Sequence, residues 1–286
     1  MENKICVITG ACSGIGLETA KALSDMGATI VLVCRDEQNG LAAREEIVKD
    51  SGNKKVNIVP MNLSSQKQIR EGIRTIMDLH PKIDVLINNA GTWFSKLEYT
   101  EDNIETQFAV NHLAYFLITY ELLPILRKSD DPRIINVGSD SHFHGKIHFH
   151  DINLTKKYHG LRAHAQSKLA NVLFTYEFDR RKDDNKLSIY CVQPGLVKTD
   201  IGLKHTYPLH GIAWKLRRLG GVSIKEGAAT SIYLASSPDA QGESGKYWDK
   251  CKVKKSSRNS YDKDMASRLW LLSEKLCDIE NYFGSN

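Results

Sequence analysis

No two of the six cysteines in this 286-residue chain stand as a CxxC pair, so neither a zinc site nor a local dithiol motif is spelled out. Cys6, Cys12, Cys34, Cys191, Cys251 and Cys277 are scattered, and Cys6, Cys34 and Cys191 fall in apolar, strand-like runs. Free thiols in a reducing compartment are the expectation. No apolar run approaches the ~20 residues that span a bilayer. The opening "MENKICVITG" has no long apolar stretch of a signal peptide and leads straight into a strand-like segment, so the chain reads as cytoplasmic. Repeats, low-complexity stretches and Pro/Gly-rich linkers are also lacking, which favours one domain over two. The net charge of +5 is mild, and its densest cluster, "KVKKSSR" at 252–258, has no interleaved aromatics. It reads as a solvated face, not as a nucleic-acid surface.

What is present is a rhythm. The short β-branched runs "ICVITG", "TIVLVC", "VNIVPM" and "IDVLINNAG" alternate with helix-length segments at 14–27, 37–50 and 65–79. Two more strand candidates, "RIINVGS" and "LSIYCVQPG", follow, with long helices between them at about 103–128 and 163–182. Strands that are apolar throughout, not on alternate residues, imply a parallel sheet covered on both faces. The fold class expected is α/β, a doubly wound, Rossmann-type parallel sheet in a single domain over 1–286. A lid-like segment at about 200–222 and a C-terminal helix at about 261–278 complete it.

The first strand runs into "TGACSGIG", Thr9 to Gly16, with glycines at 10, 14 and 16. Small residues let the backbone turn tightly and approach a pyrophosphate, and the helix that follows offers its unpaired N–H groups. That context marks a dinucleotide site. The spacing TGxxxGxG differs from the GxGxxG of most such loops.

With "NNAG" at 88–91, "VNH" at 110–112, "INVGS" at 135–139, "QSK" at 166–168 and "QPGLVKTD" at 193–200, the chain resembles the short-chain dehydrogenase/reductase family over nearly its whole length. "VCRD", "GKIHFHD", "SKLANVLF", "SGKYWDKC" and "MASRLW" resemble the retinol-dehydrogenase-like branch. Members of that branch often carry an N-terminal membrane anchor, which is not expected here. The resemblance implies a nicotinamide cofactor held by Gly10, Ser13, Gly14, Ile15, Gly16, Asn62, Leu63, Asn89, Ala90, Gly91, Lys168, Pro194, Gly195, Val197 and Thr199. At the end of the second strand it implies that Arg35 faces a 2′-phosphate, hence NADP(H), while Asp36 also suits the cap of the next helix. Asn62 stands where the family usually has an aspartate near the adenine, and its carbonyl can accept from an exocyclic amine.

The resemblance also implies a catalytic set: Ser139 to position the substrate oxygen, Lys168 to hold the ribose and lower a phenol's pKa, and Asn111 to support the lysine through water. The phenol's place, a tyrosine in the family, is taken here by His164. Tyr158, six residues upstream, matches a non-catalytic aromatic of the branch. Imidazole titrates near 6.5, against about 10 for a phenol, and suits acid–base work. Lys168 and an oxidised nicotinamide would both disfavour imidazolium. The ring also reaches about 2 Å less far, and misplacement by ~1 Å costs on the order of 100-fold. Three readings stay open: an oxidoreductase with His164 as an atypical acid/base, a weak or inactive NADP(H)-binding protein, and an enzyme that uses the nucleotide for another reaction.

"HFHGKIHFHD" at 142–151 has imidazoles at metal-ligand spacing but no Cys or Glu to complete a set, so loop histidines packed near the cleft are expected and no metal. Trp93, Phe94, Phe143, Tyr207 and Trp214 would line an apolar cleft, suited to a small apolar carbonyl or alcohol of the retinoid, steroid or lipid-aldehyde type. The segment 200–222, with Ile212, Leu216 and Leu219 on one helical face, fits both a lid and a peripheral membrane contact. The helices at 103–128 and 163–182 carry apolar faces that fit either a homodimer or simple cover for the sheet.

Overall fold

The computed structural model describes residues 1–197 and 220–284. Within them the chain alternates β1 (Ile5–Thr9), α1 (Gly14–Asp25), β2 (Thr29–Cys34), α2 (Glu37–Ser51), β3 (Val56–Pro60), α3 (Gln66–Leu79) and β4 (Val85–Asn88). A helical run follows as α4 (Thr106–Phe108), a π-helical turn (Ala109–Leu113) and α5 (Ala114–Leu126). Then come β5 (Arg133–Val137), α6 (Gly160–Arg181), β6 (Ser188–Gln193), α7 (Ile224–Ser236), β7 (Lys246–Asp249), β8 (Lys252–Val253) and α8 (Lys263–Leu276). The strands form one sheet in the order β3-β2-β1-β4-β5-β6-β7-β8, parallel except for β8, which runs against β7.

The continuous apolar runs become strands buried on both sides, because helices cover each face. One core packs the sheet against α3, α5, α6 and α8, and the other against α1, α2 and α7. The order reverses between β1 and β4, and such a switch point opens a crevice at the carboxyl ends of the strands, where ligands bind.

Two boundaries differ from those read off the sequence. Helix α6 starts three residues earlier than expected, at Gly160, because the His159 ring caps it by accepting from the Leu161 amide at 3.3 Å. His164 therefore sits in the second turn. The helix expected over 103–128 is interrupted by the π turn, which carries Asn111 and His112. β7 and β8 were not expected: "KYWD" has charged ends and does not stand out as an apolar run.

The apolar faces of α5 and α6 are covered from within the chain. Trp270 of α8 meets Phe116, Phe174 and Phe178 at ring separations of 5.1, 6.0 and 6.4 Å, and Tyr282 closes on Phe116 at 4.6 Å. The run Thr106–Leu126 is long and apolar enough to cross a membrane, but most of it is buried in this core.

Candidate active site

The nucleotide half is made by backbone. Gly10 has φ +64°, and a Cβ there would lie 2.8 Å from the Ala90 Cα. A Cβ on Gly16 would lie 2.4 Å from the Gly10 carbonyl oxygen and 2.5 Å from Asn89 Nδ2. Only glycine lets the first turn of α1 close against the loop. Ser13 begins the helix in extended conformation with no side-chain cap, so the N–H groups of that turn remain for an anion. The ends of β1 and β4 are sewn together by Thr9, whose hydroxyl accepts from the Asn89 and Ala90 amides at 2.9 and 3.0 Å. Asn89 Nδ2 in turn donates to the Thr9 carbonyl at 2.9 Å. These features fit a dinucleotide: a narrow cradle that any side chain would fill, next to an uncapped helix end.

At the end of β2, Arg35 is exposed, and Asp36 caps α2 by accepting from the Asn39 amide at 2.9 Å. The carbonyl of Asn62 is engaged locally, accepting from the Ser64 amide at 3.2 Å and hydroxyl at 2.8 Å, with Leu63 buried beside it. Pro194 and Gly195 follow β6, and Val197 is buried against the Val222 segment. Gly14 and Ile15 open α1, and Gly91 lies in the loop after β4, on the rim of the same crevice. Thr199, Tyr207, Trp214 and nearly all of the 200–222 segment lie outside the described residues.

One expectation is overturned here. Cys12, in the glycine loop, and Cys34, the last residue of β2, form a disulfide, with Cα atoms 6.1 Å apart. The two are 22 residues apart in sequence, but the parallel β1–β2 register brings the loop after one strand beside the end of the other. The separation lies within the ordinary range for a bridge. Cys6, Cys191, Cys251 and Cys277 are free. Burial pushes the Cys6, Cys191 and Cys277 thiols up to about 12, so they pack as inert apolar groups.

The other half is made by side chains from the turn after β5, from α6 and from the π turn. Ser139 follows β5 and caps a short 3-10 turn (Asp140–His144), accepting from the Ser141 amide at 3.2 Å while its hydroxyl donates to Ser141 Oγ at 3.0 Å. His164 and Lys168 stand four apart on α6 and so share a face. The Lys168 ammonium donates to the Val137 carbonyl at 2.8 Å, which pins the helix to the strand that carries Ser139. Burial lowers its pKa to about 8. The His164 ring stands edge-on to Trp93 at 5.9 Å, and its carbonyl accepts from Ser167 Oγ at 2.9 Å. Asn111 clasps the strand-end loop: Oδ1 accepts from the Thr92 amide at 2.7 Å, and Nδ2 donates to the Thr92 carbonyl at 3.2 Å and to Ser167 Oγ at 3.1 Å.

Phe94 is buried, while Phe143 is exposed beside His142. Two rings of the histidine string, His142 and His148, are engaged in hydrogen bonds. His142 is fully buried, donates from Nδ1 to the Ser139 carbonyl at 2.7 Å and accepts from the Ser257 amide at 2.9 Å. Burial lowers its pKa, so it holds the Ser139 turn as a neutral ring. Lys254, expected on a solvated face, pairs with both Asp140 and Asp249 at 3.2 and 3.0 Å.

A second group was not foreseen. Glu105 is fully buried at the head of α4, accepts from the Gln107 and Phe108 amides, and receives the Tyr158 hydroxyl at 2.9 Å. Gln107 Nε2 donates to the Tyr158 hydroxyl at 2.9 Å, and to the carbonyls of Phe94 and Gly160 at 3.2 Å. This network docks the start of α6 onto the loop after β4. It also disposes of Tyr158 as a proton carrier: the phenol is tied to a carboxylate, and burial raises its pKa.

A sequence profile of the short chain dehydrogenase family matches residues 4–206. The chain belongs to the short-chain dehydrogenase family. These enzymes are oxidoreductases, and this short-chain dehydrogenase is similar in sequence to retinol dehydrogenases. It is 39% identical over 277 residues to mouse retinol dehydrogenase 12, covering 97% of this chain and 87% of that one. It is 39% identical over 284 residues to human retinol dehydrogenase 13, covering 97% and 85%. Among solved structures, an uncharacterised protein from Mycobacterium paratuberculosis superposes with a TM-score of 0.78 at 30% identity, over 99% of this chain and 96% of that one. A short chain dehydrogenase from Escherichia coli CFT073, solved with NADPH, gives a TM-score of 0.70 at 21% identity over 88% and 98%, a likeness of fold.

Proposed function

We propose that this short-chain dehydrogenase is an NADP(H)-dependent oxidoreductase that interconverts an apolar carbonyl and its alcohol, with His164 as the acid/base. The observation that carries the reading is the joining of Lys168 to Val137, which puts the lysine, His164 and Ser139 on two elements locked edge to edge. When bound, the nicotinamide would give the hydride in carbonyl reduction and take it up in alcohol oxidation. Ser139 would hold the substrate oxygen, His164 would move the proton, and Lys168 would hold the ribose. A lysine that burial holds at about 8 is still charged at pH 6, so Lys168 opposes imidazolium there and His164 has to act as an acid against that charge. Arg35, exposed where Asp36 is occupied as a helix cap, favours a 2′-phosphate and hence NADP(H). The retinol dehydrogenases among its relatives, and Trp93 beside His164, favour a retinoid or another apolar, ring-bearing substrate.

The shorter reach of His164 supports a second reading, an NADP(H)-binding protein with little turnover. A panel of retinoid, steroid and lipid aldehydes separates the two. The oxidoreductase reading expects NADPH oxidation that is faster at pH 6 than at pH 8. It is overturned if the panel gives no turnover while His164→Tyr gives robust turnover. Absence of NADP(H) binding by calorimetry removes both.

A further inference from the structure

On the flank of α6 turned away from His164 and Lys168, a cavity of about 510 Å³ is lined by Lys156, Lys157, Arg162 and Arg268. Ile147 and Phe149 form its apolar lining, and the Arg268 guanidinium lies 4.1 Å from the centre of the Phe149 ring. The loop that bears these residues is fastened to α6 by a buried amide: Gln166 accepts from the His148 amide and donates to the Ile152 carbonyl, each at 2.9 Å. Arg162 Nε donates to the His148 ring at 3.0 Å, so that imidazole is neutral and acts as an acceptor.

The charge is unbalanced. Among the described residues none of the four cations is in an ion pair, and the one carboxylate in the lining, Asp151, is occupied. Its oxygens accept from the Thr155 amide and hydroxyl at 2.8 Å each and from the Lys156 amide at 3.2 Å. Two planar guanidinium groups and two ammonium groups converge on a half-open, partly apolar cavity. That set suits an oxygen-rich dianion, which accepts bidentate bonds from arginine and point charges from lysine.

We propose that this cavity binds a phosphate group, carried either by a soluble phosphorylated ligand or by a phospholipid headgroup. The site is separate from the nucleotide crevice, and nothing in the dehydrogenase reaction calls for it. Phosphate displaces the neutral His148 ring as the partner of Arg162, and His148 lies close enough to report the event.

The test titrates NADP-saturated protein with inorganic pyrophosphate and follows the His148 ring resonances by NMR, which localises binding whether or not NADP fills the other crevice. In parallel, sedimentation is compared with vesicles of phosphatidylcholine alone and vesicles containing phosphatidic acid. The variants are Arg162→Gln/Arg268→Gln and, on the loop, Lys156→Gln/Lys157→Gln, each checked by thermal melting. A His148 shift with pyrophosphate, weakened at least about tenfold in both variants, supports the site and points to a soluble ligand. Sedimentation only with phosphatidic acid, lost in the same variants, supports it and points to a headgroup. The proposal is overturned if His148 is unmoved by pyrophosphate and sedimentation is absent, or if the variants bind as the wild type does.

Discussion

The two halves of the crevice are built from different materials. On the β1–β4 side, function rests on where backbone can go: Gly10 and Gly16 leave room, and the N–H groups of α1 stay open. On the β5–α6 side it rests on side chains, each held by its own partner: Ser139 by Ser141, Lys168 by Val137, Asn111 by Thr92. A backbone cradle tolerates a change of residue wherever geometry is kept. A side-chain constellation does not, which is why His164 in place of a phenol puts the chemistry in question while the nucleotide site stands. If this contrast holds, damage on one side reads out as lost binding, and damage on the other as lost turnover and altered stability.

The sharpest way to break it is Gly16→Val. Its side chain meets backbone at 2.4 Å, and nucleotide affinity is expected to fall by roughly two orders of magnitude, the scale of a ~1 Å misplacement. Calorimetry with NADPH checks this, and retention of full affinity would end the cradle argument. On the other side, Lys168→Met is expected to remove turnover yet stabilise the fold near pH 7 by up to about 3 kcal/mol, since a lysine held at about 8 carries a burial penalty when charged. The sign follows from linkage: the unfolded chain binds the proton more tightly, so wild-type stability rises as pH climbs from about 8 to about 10.5, and the methionine variant lacks that rise. Urea melts at pH 7 and pH 10 test both statements.

Tyr158→Phe should cost about 2 kcal/mol, because the buried Glu105 carboxylate loses a donor. It should lower kcat more than NADPH affinity if the network sets the start of α6, and equal losses in both would deny that role. The smallest effect concerns His112, buried between Asn171 and Ser273, with burial lowering its pKa to about 3. It stays neutral when folded, so stability is full above about pH 6.5 and falls by up to about 1.4 kcal/mol per pH unit below it. His112→Gln should flatten that slope in denaturant titrations between pH 6.5 and 5.

These halves also differed in how far they could be read from sequence. The strands and the glycine loop were legible because buried parallel strands are continuously apolar and the loop's glycines are adjacent in the chain. The side-chain half was legible only as positions. That His142 would brace Ser139, or that Glu105, Gln107 and Tyr158 would anchor α6, depends on register between segments far apart, and no local spacing announces it. The sequence pattern starts α6 three residues late because its cap is a histidine, a residue with a weak capping signature. The cysteine bridge escaped for the same reason as the anchor: 22 residues separate the partners, and only strand pairing makes them neighbours.

That bridge has a practical side. It closes a covalent ring through α1 and β2 around the part of the protein that would grip the adenosine. A preparation kept in dithiothreitol and one kept in air are then two chemical species, two hydrogens apart in mass. They differ in the chain entropy of the unfolded state by about 3 kcal/mol for a loop of this length. Alkylation before digestion counts which species is present, so the reductant in the buffer becomes an experimental variable in every binding measurement made on the glycine loop.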